Sequence, residues 1–116
     1  MLESDLTKIL STVRRKVGLS DQIRDFDEAL ILETNTAFSI LSQLGVGPKK
    51  GFHITGEDET WSDFFGKSDD PRHEMARNYV CQRVRLKFDP PQVSYLLAAL
   101  ESDVAELEWR LSIPSK

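Results

Sequence analysis

The clearest hydrophobic pattern in the chain lies near its carboxyl end, after a pair of prolines. Apolar side chains recur there at alternating spacings of four and three residues, at Val93, Leu97, Leu100, Val104, Leu107 and Leu111. Because a helical turn takes about 3.6 residues, this spacing places them on one side of an α-helix. We therefore predict a long amphipathic helix whose apolar stripe packs against the chain's own core, a neighbouring copy or a different protein.

Three earlier segments also have a helical period, and they end near Gly18, Gly45 and Asp89. Together with the last helix they predict a bundle of about four helices. Acidic or hydroxyl side chains are the expected N-terminal caps, because their oxygens accept hydrogen bonds from the amides of the first turn. The expected caps are Ser4 or Asp5, Asp21 or Asp25, Asp70 and Asp89, with Pro71 and Pro90-Pro91 opening the last two helices.

The segment from Gly45 to Gly66 lacks this period and is rich in glycine and charge. Within it, residues 52–55 fit a short strand, which leaves Phe52 and Ile54 on one face. Since one strand needs a partner for its amides, either a second strand lies nearby or another chain supplies one. The predicted fold class is thus mainly α, a small helical bundle with an irregular or partly β insertion between its second and third helices.

The densest aromatic group lies at the end of this insertion. Trp61, Phe64 and Phe65 have a spacing that fits one or two helical turns. Three large rings so close together bury considerable area wherever they lie. The simpler interpretation is a cluster that seals the end of the bundle, and the alternative is a docking patch for a partner.

Composition indicates one ordinary globular domain over residues 1–116. The chain is 40% hydrophobic and 29% charged, proportions that allow one modest core. Its single cysteine, Cys81, forms no intramolecular disulfide, so a cytosolic setting is the default expectation. No apolar run approaches the roughly 18 residues of a spanning helix, and we expect no membrane association.

The charge of the chain argues against a strongly basic nucleic-acid binder. The formal net charge is −4, whereas proteins that neutralise phosphates usually carry a cationic surplus. Local basic sites remain at Lys49-Lys50 and along the arginine-rich third helix. A small helical DNA-binding or regulatory protein is therefore an alternative function.

No pattern of residues points to catalysis. His73-Glu74 begins like the HExxH motif of zinc proteases, but the fifth position is Arg77, so the second zinc ligand is missing. Cys81 lies in the apolar part of a helix, where cysteine usually acts as a small buried hydrophobe. Gly45 and Gly47 belong to an incomplete phosphate-loop pattern. We expect no enzyme activity, no cofactor and no metal site.

Two stretches resemble the head-tail connector (adaptor) proteins of tailed bacteriophages. One runs from Val84 to Pro91 and continues into the long helix that ends at Leu111. The other is the preceding insertion with its Trp61-Ser62-Asp63-Phe64 sequence. Together they cover about the last two-thirds of the chain.

This resemblance implies a non-enzymatic structural subunit that forms a ring, dodecameric in the virion, beneath the portal of a DNA-filled capsid. It implies partners on both sides, the portal protein and a stopper or tail-completion protein, around a channel through which DNA passes non-specifically. The expected location is the head-tail interface of the virion, and the host cytoplasm during assembly. A subunit that is monomeric in isolation is compatible with this role.

The resemblance also suggests which residues make the contacts. The expected subunit-interface residues are Phe52, Ile54, Trp61, Phe64, Arg83 and Arg85. The expected DNA-channel residues are Lys49 and Lys50, and the expected portal-docking residues are Trp109, Arg110 and Ile113. Trp109 is the expected anchor of that docking contact, because buried tryptophans often dominate binding energies.

Overall fold

Five helices account for most of the fold. The computed structural model describes residues 7–114. The helices are α1 (Ile9–Lys16), α2 (Asp27–Gln43), α3 (Trp61–Phe65), α4 (His73–Phe88) and α5 (Ser94–Leu111). The only β pairing in the described range is an isolated antiparallel bridge between Lys8 and Thr60. The mainly α helical bundle is confirmed, with α3 as the short aromatic helix expected at the end of the insertion.

The glycines predicted the ends of the first two helices correctly, whereas the prolines did not predict the starts of the last two. Gly18 and Gly45, which follow α1 and α2, have φ angles of 91° and 84°, a region that favours glycine. In contrast, α4 begins at His73 and α5 at Ser94. The prediction that prolines occupy their first positions is therefore wrong, and the prolines lie in the turns that precede both helices.

Several predicted caps have other roles. The N-cap of α2 is Phe26 and that of α5 is Val93, and neither side chain accepts a capping hydrogen bond. The predictions of Asp21 or Asp25 for α2 and of Asp89 for α5 are thus wrong. Asp70 does accept a hydrogen bond from the backbone amide of Arg72 at 2.9 Å, in the turn before α4. Ser4 and Asp5 lie outside the described residues, and α1 begins directly after Lys8.

Helix α4 is the central element of the bundle, because α1, α2 and α5 all pack on it. The predicted ridge of Ala76, Val80 and Val84 is confirmed, since all three side chains are fully buried. Beside this ridge lie buried side chains of the two amino-terminal helices, among them Ile9, Leu10, Val13, Leu30 and Leu41. This contiguous burial supplies the main hydrophobic stabilisation of the fold.

An aromatic cluster closes one end of this core. Phe38 of α2 lies at its centre, with ring centroids 4.8 Å from Phe64, 5.0 Å from Phe52 and 6.1 Å from Trp61. Gly47 approaches so closely that a Cβ atom there would lie 2.6 Å from Cε1 of Phe64. Because Trp61 and Phe64 are buried, the aromatic group packs in this subunit as a seal of the bundle.

A fully buried arginine joins the amino-terminal helices to the insertion. Nε and Nη2 of Arg14 donate to the two carboxylate oxygens of Asp27 at 2.9 and 2.7 Å. Nη1 donates to Asp21 at 3.1 Å, and the guanidinium also pairs with Glu57, which in turn binds Arg24. A buried charge requires such partners because its desolvation is otherwise very unfavourable.

Burial and the neighbouring carboxylates act in opposite directions on the pKa of Arg14. Burial by itself would lower that pKa, but hydrogen bonds and charge from Asp27 and Asp21 outweigh burial and raise it above its ordinary value. The guanidinium therefore stays charged, and the carboxylates from three separate segments stay attached to it.

The apolar stripe of α5 is only partly covered. Val104 and Leu111, in the carboxyl-terminal half, are buried against the rest of the chain, and α4 is the helix on which α5 mainly packs. At the amino-terminal end, Val93 and Leu96 are exposed, and so is Tyr95, which keeps 73% of its surface accessible. Of the stripe itself, Val93 is exposed, whereas Leu97 and Leu100 are half-buried and Leu100 packs on the core. The chain's own core thus covers the stripe less completely towards the start of α5.

We predict that Arg14→Met destabilises the fold strongly. The change leaves three carboxylates around a buried apolar side chain, and loss of one partner from a buried charge cluster costs about 3 kcal/mol. Arg24→Met is the matched control, because Arg24 is 56% exposed, with one ion pair to Glu57 and one hydrogen bond to the Asp21 carbonyl. We expect a loss below about 1 kcal/mol. Urea unfolding measures both, and equal losses would contradict a dominant role for Arg14.

Candidate functional site

Three of the expected subunit-interface residues lie inside the subunit. Ile54, Trp61 and Phe64 are all buried. The indole Nε1 of Trp61 donates to Oγ1 of Thr12 at 3.0 Å, so its polar atom is also used internally. In this conformation these three side chains contribute to the core and present almost no surface to a neighbour.

The segment around Ile54 is a loop, and its backbone is paired without a second strand. The side chain of Asn35 in α2 accepts a hydrogen bond from the Ile54 amide at 2.7 Å and donates one to the Ile54 carbonyl at 2.9 Å. The strand interpretation of residues 52–55 is therefore wrong, because a side-chain amide takes the place of the missing ladder. Phe52 is half-buried and packs edge-on against Phe38 and Phe64.

The two expected arginines of α4 differ in their surroundings. Arg83 is mostly buried and lies 3.8 Å from Glu108 of α5, the carboxylate that also accepts a hydrogen bond from the Tyr79 hydroxyl at 2.7 Å. Burial, with the hydrogen bond and the charge of Glu108, raises the pKa of Tyr79. Arg85 is exposed. Only Arg85 of this pair therefore projects freely from the subunit.

The expected DNA-channel residues lie on the surface. Lys49 and Lys50 are both exposed in the turn that follows Pro48. Neither forms an ion pair with any residue in the 7–114 range. Both ammonium groups are therefore available to an external anion.

The carboxyl ends of α2 and α5 meet at the side chain of Arg72. No sequence pattern predicted this contact. Nη1 of Arg72 donates to the carbonyls of Leu111 and Ile113 at 3.1 and 3.3 Å, and Nη2 donates to the carbonyl of Gly45 at 3.1 Å. Carbonyls at helix ends lack intrahelical partners, and a cation is favoured there by the helix dipole. Asp70, 2.8 Å from Arg72, holds the guanidinium in place.

The expected portal-docking residues surround this junction and are exposed. Trp109 keeps 63% of its surface accessible, and Ile113 is also largely exposed. Arg110 pairs with Glu106 one turn earlier at 2.7 Å. Trp109 is therefore a large exposed side chain on a helix whose carboxyl end is held by Arg72.

The described residues favour neither metal binding nor nucleophilic catalysis. No group of three or more His, Cys, Asp or Glu side chains in that part of the chain is arranged to hold a metal ion. Burial raises the pKa of the Cys81 thiol to about 11, which keeps it protonated and unreactive near neutral pH.

Comparison with known proteins identifies the family. A family model described as phage connector protein matches residues 9–116. The chain belongs to the phage connector protein family. The resemblance expected from the Val84–Pro91 run and the long last helix is thereby confirmed, over more of the chain than those stretches cover. Searches among curated proteins and among solved structures each returned no match.

Membership gives this connector a structural role in the phage particle and does not favour the alternative of a DNA-binding regulator. The family is a structural one, which agrees with the expectation of a non-enzymatic protein. None of the described helices is both long enough and apolar enough to cross a bilayer.

We predict that the Asp70–Arg72 pair makes the connector sensitive to acid. Hydrogen bonds from Arg72, opposed by burial, lower the pKa of Asp70 from 3.8 to about 2. Because the folded-state pKa is the lower one, the ionised carboxylate stabilises the fold fully above the ordinary pKa, and this stability is lost as pH falls towards 2.

Urea unfolding between neutral pH and pH 2 tests this. Asp70→Asn should be less stable than wild type near neutral pH and should lack part of the wild-type decline in acid. Asp69→Asn is the control, since Asp69 is exposed, and it should follow the wild-type curve. A parallel decline in wild type and Asp70→Asn would contradict the role of this pair.

Proposed function

We propose that this connector is the adaptor subunit of a phage or prophage head-tail connector. It forms a ring under the portal, dodecameric in the virion, around the DNA channel, and it links the portal to a stopper or tail-completion protein. It acts without catalysis and passes DNA non-specifically. It assembles in the host cytoplasm and resides at the head-tail interface.

The observation that carries this proposal is the open surface of α5. Tyr95 and Leu96 are exposed near its start and Trp109 near its end, although the helix is anchored to α4 between them. Large apolar side chains on a fixed helix are typical of a surface that other proteins cover. A single domain over residues 1–116 with such a helix fits a building block of a larger assembly.

The carboxyl-terminal end of α5 is the proposed portal-docking element. Trp109 and Ile113 supply exposed apolar area there, and Arg110 supplies a guanidinium on the same end. Arg72 binds the carbonyls that follow α5 and thereby fixes the direction in which this end leaves the subunit. A fixed anchor loses little conformational freedom on binding, which favours affinity.

The exposed lysines of the insertion are the proposed contacts to DNA. Lys49 and Lys50 follow Pro48 in a turn, so their ammonium groups extend from the surface without an internal partner in the described chain. Two cations on a turn can contact phosphates but cannot read bases, which suits passage of any sequence. Phe52, half-buried next to them, and Arg85 are the expected interface residues that retain accessible surface.

The proposal is tested by assembly with a portal. Purified connector mixed with portal rings should add a second ring visible by electron microscopy and should increase the sedimentation coefficient. A monomeric isolated chain is compatible with this proposal, because the portal ring would act as the template for ring assembly. Failure to join portal rings under assembly conditions would overturn the adaptor proposal.

Docking through Trp109 makes a sharper prediction. Trp109→Ala should weaken portal binding at least about tenfold, in the range of interface residues that dominate affinity, with an unchanged thermal unfolding midpoint because the side chain is exposed. Trp109→Phe, which keeps a large apolar ring, should lose less. Equal binding by wild type and Trp109→Ala would place the portal contact elsewhere.

A further inference from the structure

A groove runs along α4 between α1 and α5 and reaches the exposed start of α5. It consists of two adjoining cavities of about 380 and 400 Å³. Both cavities are lined by Lys16, Asn78 and Cys81, so they form one continuous depression, here called the α4 groove. From Glu74 to Arg85 it follows about 16 Å of helix, roughly three turns, given a rise of about 1.5 Å per residue.

The α4 groove is basic at its edges. Arg15, Lys16 and Arg85 line it and are exposed, and none of the three forms an ion pair within residues 7–114. Two acids, Glu74 and Asp103, also line it. The cations are therefore in excess along the groove, although the whole chain carries a net charge of −4.

The α5 side of the groove is mainly apolar, with Asp103 as the acid among its lining residues. Pro91, Leu96, Ala99 and Leu100 line this side, and Leu96 belongs to the exposed start of α5. A groove with an apolar wall and cationic edges suits a helix that presents an exposed apolar side chain between acids. Double-helical DNA offers phosphates but no apolar side chain for this wall.

The same chain carries a surface of that kind on the solvent side of α2. Leu32 keeps 67% of its surface exposed, with Glu28 one turn before it and Glu33 beside it. Neither glutamate forms an ion pair within the part of the chain that the structure describes. Here these three residues are called the α2 outer face.

The α4 groove and the α2 outer face are separate surfaces, because no residue of α2 lines the groove. Asn78 lines the groove, whereas Val80, two residues later and about 200° around the helix, is fully buried. Helix α2 packs on α4 more extensively than any other helix does, and its outer face points away from that contact. Two separate complementary surfaces join copies head to tail, and such contacts close into a ring when the rotation permits.

We propose that the α4 groove of one subunit receives the α2 outer face of a second copy of this chain. Leu32 of that copy packs against the apolar wall, and its two glutamates face Lys16 and Arg85. This inference rests on the ring proposed above and names the surfaces that join its neighbours.

Charge reversal on each side, alone and together, tests the pairing. The groove variant is Lys16→Glu with Arg85→Glu, and the α2 variant is Glu28→Lys with Glu33→Lys. Assembly of each on portal rings is measured by sedimentation and electron microscopy over a range of connector concentrations. Each variant should require about tenfold more connector than wild type, since like charges then face each other across the contact, and the four-site combination should recover near wild-type assembly.

Matched controls separate this effect from altered folding or net charge. Lys67→Glu with Lys87→Glu changes the net charge by the same amount as the groove variant, and Lys87 lies in the same last turn of α4 as Arg85. This control should assemble like wild type. The neutral change Lys16→Gln with Arg85→Gln should give an intermediate loss, and thermal unfolding verifies the fold of every variant.

The possible results distinguish the interface from the ring itself. If wild type binds the portal only as separate subunits, the ring is overturned and this interface with it. If wild type forms rings and the groove variant forms them equally well, or if the four-site combination fails to recover, only the interface is overturned. If wild type retards a DNA duplex and only the groove variant loses this ability, the groove binds DNA. That result would also overturn the proposed interface.

Discussion

The buried guanidinium of Arg14 is the interaction on which the amino-terminal half of the structure depends. Its carboxylate partners come from the linker after α1, the first turn of α2 and the insertion. A buried charge is stable only when its carboxylate partners are in place. The burial of Arg14 therefore holds these three segments together. Asn35 acts similarly at Ile54, where a side chain replaces a strand partner. The insertion is therefore organised inward, by polar contacts to α1 and α2.

At the carboxyl-terminal end of the chain, the central position of α4 leaves helix surfaces exposed. Because α1, α2 and α5 all pack on it, its buried sides are shared among three helices, and α5 gains a partner along only part of its length. Among the described residues, the open surfaces include the start of α5, its end near Trp109, the α4 groove, the α2 outer face and the turn with Lys49 and Lys50. A fold built in this way has a core of its own and several exposed surfaces, which is compatible with a structural protein of a phage particle.

These open surfaces have different physical character, and that difference suggests separate partners. The end of α5 presents an aromatic anchor on a fixed helix, which suits a tight contact with a large preformed assembly. The α4 groove and the α2 outer face combine charge with limited apolar area, which suits a specific contact between copies. The turn with Lys49 and Lys50 has charge alone, which suits contact with a phosphate backbone.

Local periodicity and local motifs were sufficient to predict the helical class, the ends of α1 and α2 at glycines, the ridge on α4 and the likeness to phage connectors. The position of Arg14, four residues after Leu10 on the apolar side of α1, was a visible signal of its burial. Only the tertiary structure decided which acids surround it, that Arg72 joins two helix ends, that Ile54 is paired by Asn35, and that Trp61 and Phe64 are internal. Each of these depends on atoms brought together from distant segments, and no spacing within one segment encodes that.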